Sequence, residues 1–279
     1  GGIALQVTAG NLAIDAITGG ASAAAVGSAS GTVSLVANGL LTLSGSVQST
    51  GGSISLRSAT ASVTLAAGAA IATGGAGTLD VQAQTDVNLA DGSVLRTDGG
   101  NVRVQAVAGT LTLGLVDART SADRSGTTLT QQSATNGHWG DVSLLAGTSV
   151  LDNASEAIAN AVDVYARNLR LVAGSGSLGV GSNALETEAA LLSAAAATAA
   201  SGGVFLTEAT ALTVGTVADL SVDRIGLGST GTQTDAATSA FTSGGALVLT
   251  TLAGSLSVNS AASAGANLLL QAGGAASDL

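Results

Sequence analysis

The single histidine, His138, stands beside the single tryptophan, Trp139, in a polar stretch that also holds Asp117, Arg119, Asp123 and Arg124. Paired carboxylates and planar guanidinium groups suit polyols and acidic sugars. An exposed aromatic beside hydrogen-bonding groups is what sugar faces and protein hot spots select. A lone imidazole with no cysteine and no second histidine supplies neither a nucleophilic triad nor a metal cluster. The six residues are therefore a candidate ligand-contact loop, and the plainer reading of the same residues is a charged loop with weak surface pairs.

Other motifs carry less. Gly174, Gly176, Gly179 and Gly226, Gly228, Gly231 each match a dinucleotide-loop pattern. With 40 glycines in 279 residues roughly 0.8 such matches arise by chance, and no strand-then-helix unit surrounds either one. Gly74 to Asp80 approaches a calcium-binding nonapeptide, but its Asp falls one place late and the phrase occurs once. Asn153-Ala-Ser155 reads as an accidental sequon. No catalytic residue, cofactor-binding residue or metal ligand is assigned, and the chain is expected not to be an enzyme.

Whatever these residues do, a repeat must position them. Val33-Ser-Leu35, Ile54-Ser-Leu56, Leu79-Asp-Val81 and Val102-Arg-Val104 are followed by Leu41-Thr-Leu43, Val63-Thr-Leu65, Val87-Asn-Leu89 and Leu111-Thr-Leu113. A third apolar site follows at Val47, Ile71 and Val94, and a Gly-Gly pair usually opens the next copy. The alternation is period two, so both apolar side chains of a triplet point to one face. Strands this short bury a core only by stacking on the next copy about 4.8 Å away. The expected fold is all-β, a three-sided parallel β-helix in which Val33, Ile54, Leu79 and Val102 form one inward column. Leu43, Leu65, Leu89 and Leu113 form another. Thr42, Thr64, Asn88 and Thr112 form an outward column, thin for an ice-binding array and ordinary for a strand surface.

Composition agrees. The chain has no proline, cysteine, methionine or lysine, and only four aromatics, whereas globular enzyme cores use many. A net charge of −10 disfavours nucleic acid and anionic membranes as partners. The alanine-rich run from Ala189 to Ala200 is too short and too polar at its edges to span a bilayer. Copies begin near Ile3, Val33, Ile54, Leu79, Val102, Val142, Leu169, Val204, Leu247 and Leu268, about ten rungs in one continuous solenoid over residues 1–279, read as a segment of something longer. Extra length near 19–30, 117–140, 184–201 and 225–243 is expected to leave the coil. The third of these is expected to form a strand at Leu185 to Leu192 despite its alanines.

Phrases such as Gly140-Asp-Val-Ser-Leu144, Asn168-Leu-Arg-Leu-Val-Ala-Gly174 and Gly203-Val-Phe-Leu-Thr-Glu-Ala209 resemble the repeats of giant filamentous-haemagglutinin-like surface proteins of Gram-negative bacteria. The resemblance implies a right-handed β-helix, exported, serving as a stalk or adhesive fibre. The family's secretion domain carries Asn-Pro motifs, and this chain has no proline, so it resembles the shaft. The expected function is a structural shaft segment of a secreted or cell-surface adhesin, without cofactor, metal or membrane insertion. Any binding of host or environmental glycans or surface proteins falls to the insertions. Replacing Asp117 to Gly140 by a short turn is expected to leave the fold intact. A self-assembling filament or sheath subunit is the alternative, since open solenoid ends are sheet edges, and a carbohydrate-active β-helix enzyme is the remote one.

Overall fold

Each triplet is a strand, and each strand lies in parallel over the one a repeat earlier. The computed structural model describes residues 1–16, 25–124, 138–153, 161–200, 202–274 and 277–279. Among these the single helical segment is the four-residue turn Ser121–Arg124, and the rest of the regular structure is strand. The parallel sheets form a nearly closed, solenoid-like arrangement.

Register follows the inward residues. Val33, Ile54, Leu79, Val102 and Val142 pair in sequence, as do Leu35, Leu56, Val81, Val104 and Leu144. All ten are buried. The second triplets stack likewise, through Leu12, Leu41, Val63, Val87, Leu111 and Val150. A one-residue slip would turn every one of these side chains to the opposite face, so the apolar pattern fixes the pairing. Thr42, Thr64, Asn88 and Thr112 stack as the half-buried outward column, continued by Leu151.

Corners impose their own requirement. Gly31, Gly52, Gly77, Gly100 and Gly140 stand one above another where the coil turns into the Val33 series. A Cβ on Gly100 would lie 2.0 Å from the Gly77 carbonyl oxygen, and one on Gly140 would lie 2.0 Å from that of Gly100. Backbone sits where a side chain would start, so only glycine fits.

Three sequence expectations are corrected. In the third set of sites, Val47 pairs with Ile71 but Ile71 pairs with Leu95, not Val94. Gly68 and Gly92 hold the same positive-φ turn, at +80° and +75°, and the residue three places after each, Ile71 or Leu95, points inward, so Leu95 is buried and Val94 half-buried. Beyond Leu169 the expected series changes face. Leu169 stacks on Leu192 and Leu192 on Val214. Val204, Leu247 and Leu268 instead continue the Val150 column by way of Leu178. The cause is two long strands, Val164–Ala173 and Leu185–Ala195, which run straight through what is a corner in earlier coils. The segment 184–201 therefore does not leave the coil up to Ala195. Its strand is paired with Val164–Ala173 on one side and with Val204–Glu208, Leu212–Val214 and Phe241–Ser243 on the other. Pairing on both edges outweighs the helical preference of its alanines.

Of the other departures, 19–30 falls partly outside the described residues, and its end, Val26–Ser28, is a ladder strand paired with Val47–Ser49. The last, near 225–243, is a side structure that begins earlier. Leu220–Ile225 and Thr230–Asp235 form an antiparallel hairpin. Phe241–Ser243 then rejoins the ladder.

The inward register is testable with adjacent residues. Leu65→Asp places a carboxylate between stacked coils and is expected to cost several kcal/mol. Thr64→Asp is expected to cost less than about 1 kcal/mol. Chemical denaturation of both variants checks this, and equal losses would contradict the register.

Candidate functional site

Asp117 ends the ladder strand Leu115–Asp117, directly over Tyr165 of the next coil. From it the chain turns through Arg119 and Thr120 into Ser121–Arg124, which Thr120 caps by accepting from the Asp123 N–H at 3.2 Å. Arg119 folds back so that Nε and Nη2 donate to the two Asp117 carboxylate oxygens, at 2.9 and 2.7 Å. Its guanidinium lies 3.5 Å from the Tyr165 ring centre, a cation–π stack. Trp139 meets Tyr165 edge-on at 6.3 Å and donates its indole N–H to Asp123 at 2.6 Å. Arg124 donates from Nη1 to the Thr97 carbonyl oxygen at 2.6 Å and to that of Arg119.

Five of the six candidate residues are thus brought together, but they bond to one another. Trp139 is 3% exposed, which corrects the expectation of a presented aromatic. Its indole wedges under the turn because Asp123 and Tyr165 satisfy both its polar and apolar parts. His138 alone is exposed. Asp117 and Trp139 are buried, and the Gly140 N–H donates to Ala118 at 2.9 Å. Replacing all of Asp117 to Gly140 would remove core, so the expectation that the whole stretch is dispensable is corrected too. Residues 125–137 lie outside the described set.

Charge follows from this packing. Burial alone would lower the Arg119 pKa, but hydrogen bonding and charge from Asp117, with Tyr165 and Asp123, raise it above the usual arginine value. Burial, with the charges of Arg96 and Arg119, holds Arg124 below it despite Asp117 and Asp98. Burial pushes the Tyr165 hydroxyl up against the pull of Arg119.

Sequence reasoning passed over two further groups. The first is the outward face of the Val33 series. Ser34, Ser55, Asp80, Arg103 and Ser143 are middle residues of their triplets, yet all are buried, because the hairpin lies across them. The Ser34 hydroxyl donates to the Ile225 carbonyl at 2.8 Å, and the Ile225 N–H donates to Ser55 Oγ at 2.9 Å. Arg224 donates to both Asp80 oxygens, at 2.6 and 3.1 Å. Arg103 donates from Nε to both oxygens of Asp235, from Nη1 to Asp80 and from Nη2 to Gln105. Ser143 completes Asp235 at 2.7 Å. Leu220, Val222 and Ile225 are buried beneath this layer. One signal was present in the sequence: Asp80 and Arg103 hold the same place in successive triplets, so stacking had to bring opposite charges together.

The second group is acidic. Glu208 is buried, taking hydrogen bonds from Thr187 Oγ1 at 2.6 Å and the Ala189 N–H at 2.9 Å, while Glu188 beside it takes one from Thr210 at 2.8 Å. Burial drives the Glu208 pKa well above the carboxylate range, and the Glu188 charge adds to the shift. Burial also raises Glu188. Separately, Asp152, Asp163 and Glu186 offer oxygens close enough for one cation.

Among the described residues no helix is long and apolar enough to cross a membrane. No family model, no curated protein and no solved structure matches the chain.

Two outcomes are expected. Arg103 and Asp80 side chains are 3% exposed, so Arg103→Met, which strips Asp235 of its guanidinium, is expected to cost about 3 kcal/mol in denaturant unfolding. A loss below about 0.5 kcal/mol would show the hairpin contact to be superficial. For Glu208 the folded pKa stands above the unfolded one, so the folded chain holds the proton longer. Stability from this group is full below about pH 4.5 and is lost as pH rises through the raised value. Tm measured against pH is expected to fall more steeply over that range for the native chain than for Glu208→Gln, and parallel curves would contradict the assignment.

Proposed function

We propose that the chain is a structural shaft segment of a large secreted or cell-surface bacterial adhesin. In this reading the paired strands are a three-sided parallel β-helix of about ten rungs, and ligand contact is left to departures from the coil. The observation that carries the proposal is the unbroken run of in-register parallel pairing from Ile3 over Val33 to Leu247 over Leu268. Every coil adds about 4.8 Å along one axis with hydrogen bonds running along it, which is how a chain builds length rather than a pocket. The polar side chains that suit a ligand are spent within the protein, Asp117 on Arg119 and Arg124, and Asp123 on Thr120 and Trp139. That favours a scaffold over an enzyme. Extracellular placement on a Gram-negative cell rests on the family resemblance of the repeats.

Glycan arrays and cell-binding assays on the intact chain, and on one whose residues 125–137 are replaced by a four-residue Gly/Ser turn, test the adhesive part. Binding by the first and none by the second is expected. Absence of binding by both would contradict it and leave a plain shaft. Electron micrographs are expected to show short rods for both chains, and end-to-end fibres would favour the filament.

A further inference from the structure

Asp152, Asp163 and Glu186 reach one point from three successive places in the ladder. Asp152 ends the strand Val150–Asp152, Asp163 immediately precedes Val164–Ala173, and Glu186 is the second residue of Leu185–Ala195. One carboxylate oxygen from each lies within 4.8 Å of the others, and the residues are 8%, 7% and 6% exposed. Their backbones are locked together: the Asp163 N–H donates to the Glu186 carbonyl at 2.9 Å, and the Glu186 N–H donates to Asp163 Oδ2 at 3.1 Å. Three carboxylates held this close inside a protein repel one another, and a cation between them turns that repulsion into attraction.

Two further observations point to what joins them. Asp152 Oδ1 accepts from the Asn153 N–H at 2.6 Å, whereas its buried Oδ2 has no hydrogen-bond partner among the described residues. Asp152 and Asp163 line a cavity of about 210 Å³ whose wall also includes Ser93. Ser93 is 1% exposed, comes from a different coil, and its buried hydroxyl likewise has no partner among the described residues. A buried hydroxyl and a buried carboxylate oxygen left open on one cavity are donors awaiting an ion, because such groups are otherwise bonded within the protein.

We propose that these residues form a calcium site, with Asp152, Asp163 and Glu186 as ligands and Ser93 on the cavity side of the ion. All the donors are oxygen, which selects a hard cation. Calcium takes six to eight oxygen ligands in flexible geometry at about 2.3–2.6 Å and accepts a cage of protein carboxylates, whereas magnesium demands a near-ideal octahedron and keeps several of its waters. Zinc is disfavoured because the chain has no cysteine and its one histidine, His138, is not in the group. The ion would tie the Val150 coil to the beginning of the two long strands, where Asp163 and Glu186 are already joined through their backbones. The site stands on this geometry alone and does not depend on the adhesin reading.

Calorimetric titration of the chelator-treated chain with CaCl2, together with Tm in EDTA and in about 1 mM CaCl2, tests the proposal. One calcium per chain and a rise in Tm of several degrees are expected, with a much smaller response to MgCl2. Asp152→Asn/Asp163→Asn is expected to unfold no lower in EDTA than the native chain, since a repulsion is removed, and to lose the calcium response. No heat and no rise in Tm for the native chain overturn the proposal whether or not the variant folds. So does a magnesium response equal to that of calcium, or an undiminished calcium response in the variant.

Discussion

Backbone pairing between successive coils, about 4.8 Å apart, decides what each position can hold. The interior accepts one aliphatic side chain per coil in each column, as in Leu35, Leu56, Val81 and Val104. At the corner leading into that face the separation is too small for any side chain, which is why Gly77, Gly100 and Gly140 succeed one another with carbonyl oxygens where a Cβ would stand. Outward positions are released from the core but not from the stacking, so like residues or complementary charges fall above one another.

That last consequence gives the molecule its polar architecture. Asp80 and Arg103 are neighbours because the register makes them so, and the hairpin Leu220–Ile225 with Thr230–Asp235 then buries them. Burial is tolerated because the groups complete one another: Arg103 spends Nε, Nη1 and Nη2, Asp80 accepts from two arginines, and Asp235 accepts from Arg103 and Ser143. A hairpin that leaves the coil after Leu212–Val214 thereby reaches back as far as Ser34, joining coils that are remote in sequence. The same logic fails locally at Asp152, Asp163 and Glu186, where stacking gathers charge of one sign. Glu188 and Glu208 meet the same difficulty by rising in pKa.

Strand positions and their inward residues were legible in the sequence, because apolar-polar-apolar triplets at a near-constant spacing admit one pairing phase. Which face a triplet occupies was not. Val204 and Val142 read alike, yet they belong to different columns, since every face uses the same phrase and the long strand Leu185–Ala195 gives no local sign of running through a corner. Val94 looked as suitable as Leu95, and only the register with Ile71, which follows Gly68 as Leu95 follows Gly92, separates them. The candidate loop was found as a cluster but misjudged in exposure. Trp139 sits among polar residues that satisfy its indole inside the protein, and Tyr165, which organises the stack with Arg119, is adjacent to Asp117 only through register. The hairpin was missed, its start placed near residue 225: Leu220 and Val222 alternate with polar residues, but nothing nearby marks an antiparallel pair lying on the outer face.

The absence of native cysteine makes the stacking directly measurable. Ala13, Thr42, Thr64, Asn88, Thr112 and Leu151 form one outward column, each a coil above the last. Nitroxide labels on cysteines placed at Ala13 and, in turn, Asn88, Thr112 and Leu151 are expected to give pulsed electron resonance distances near 14, 19 and 24 Å, a constant step of about 4.8 Å. Distances that do not increase in that order, or that step unevenly by more than the labels' own spread, would contradict the stacked coil on which the fold, the hairpin and the proposed calcium site all rest.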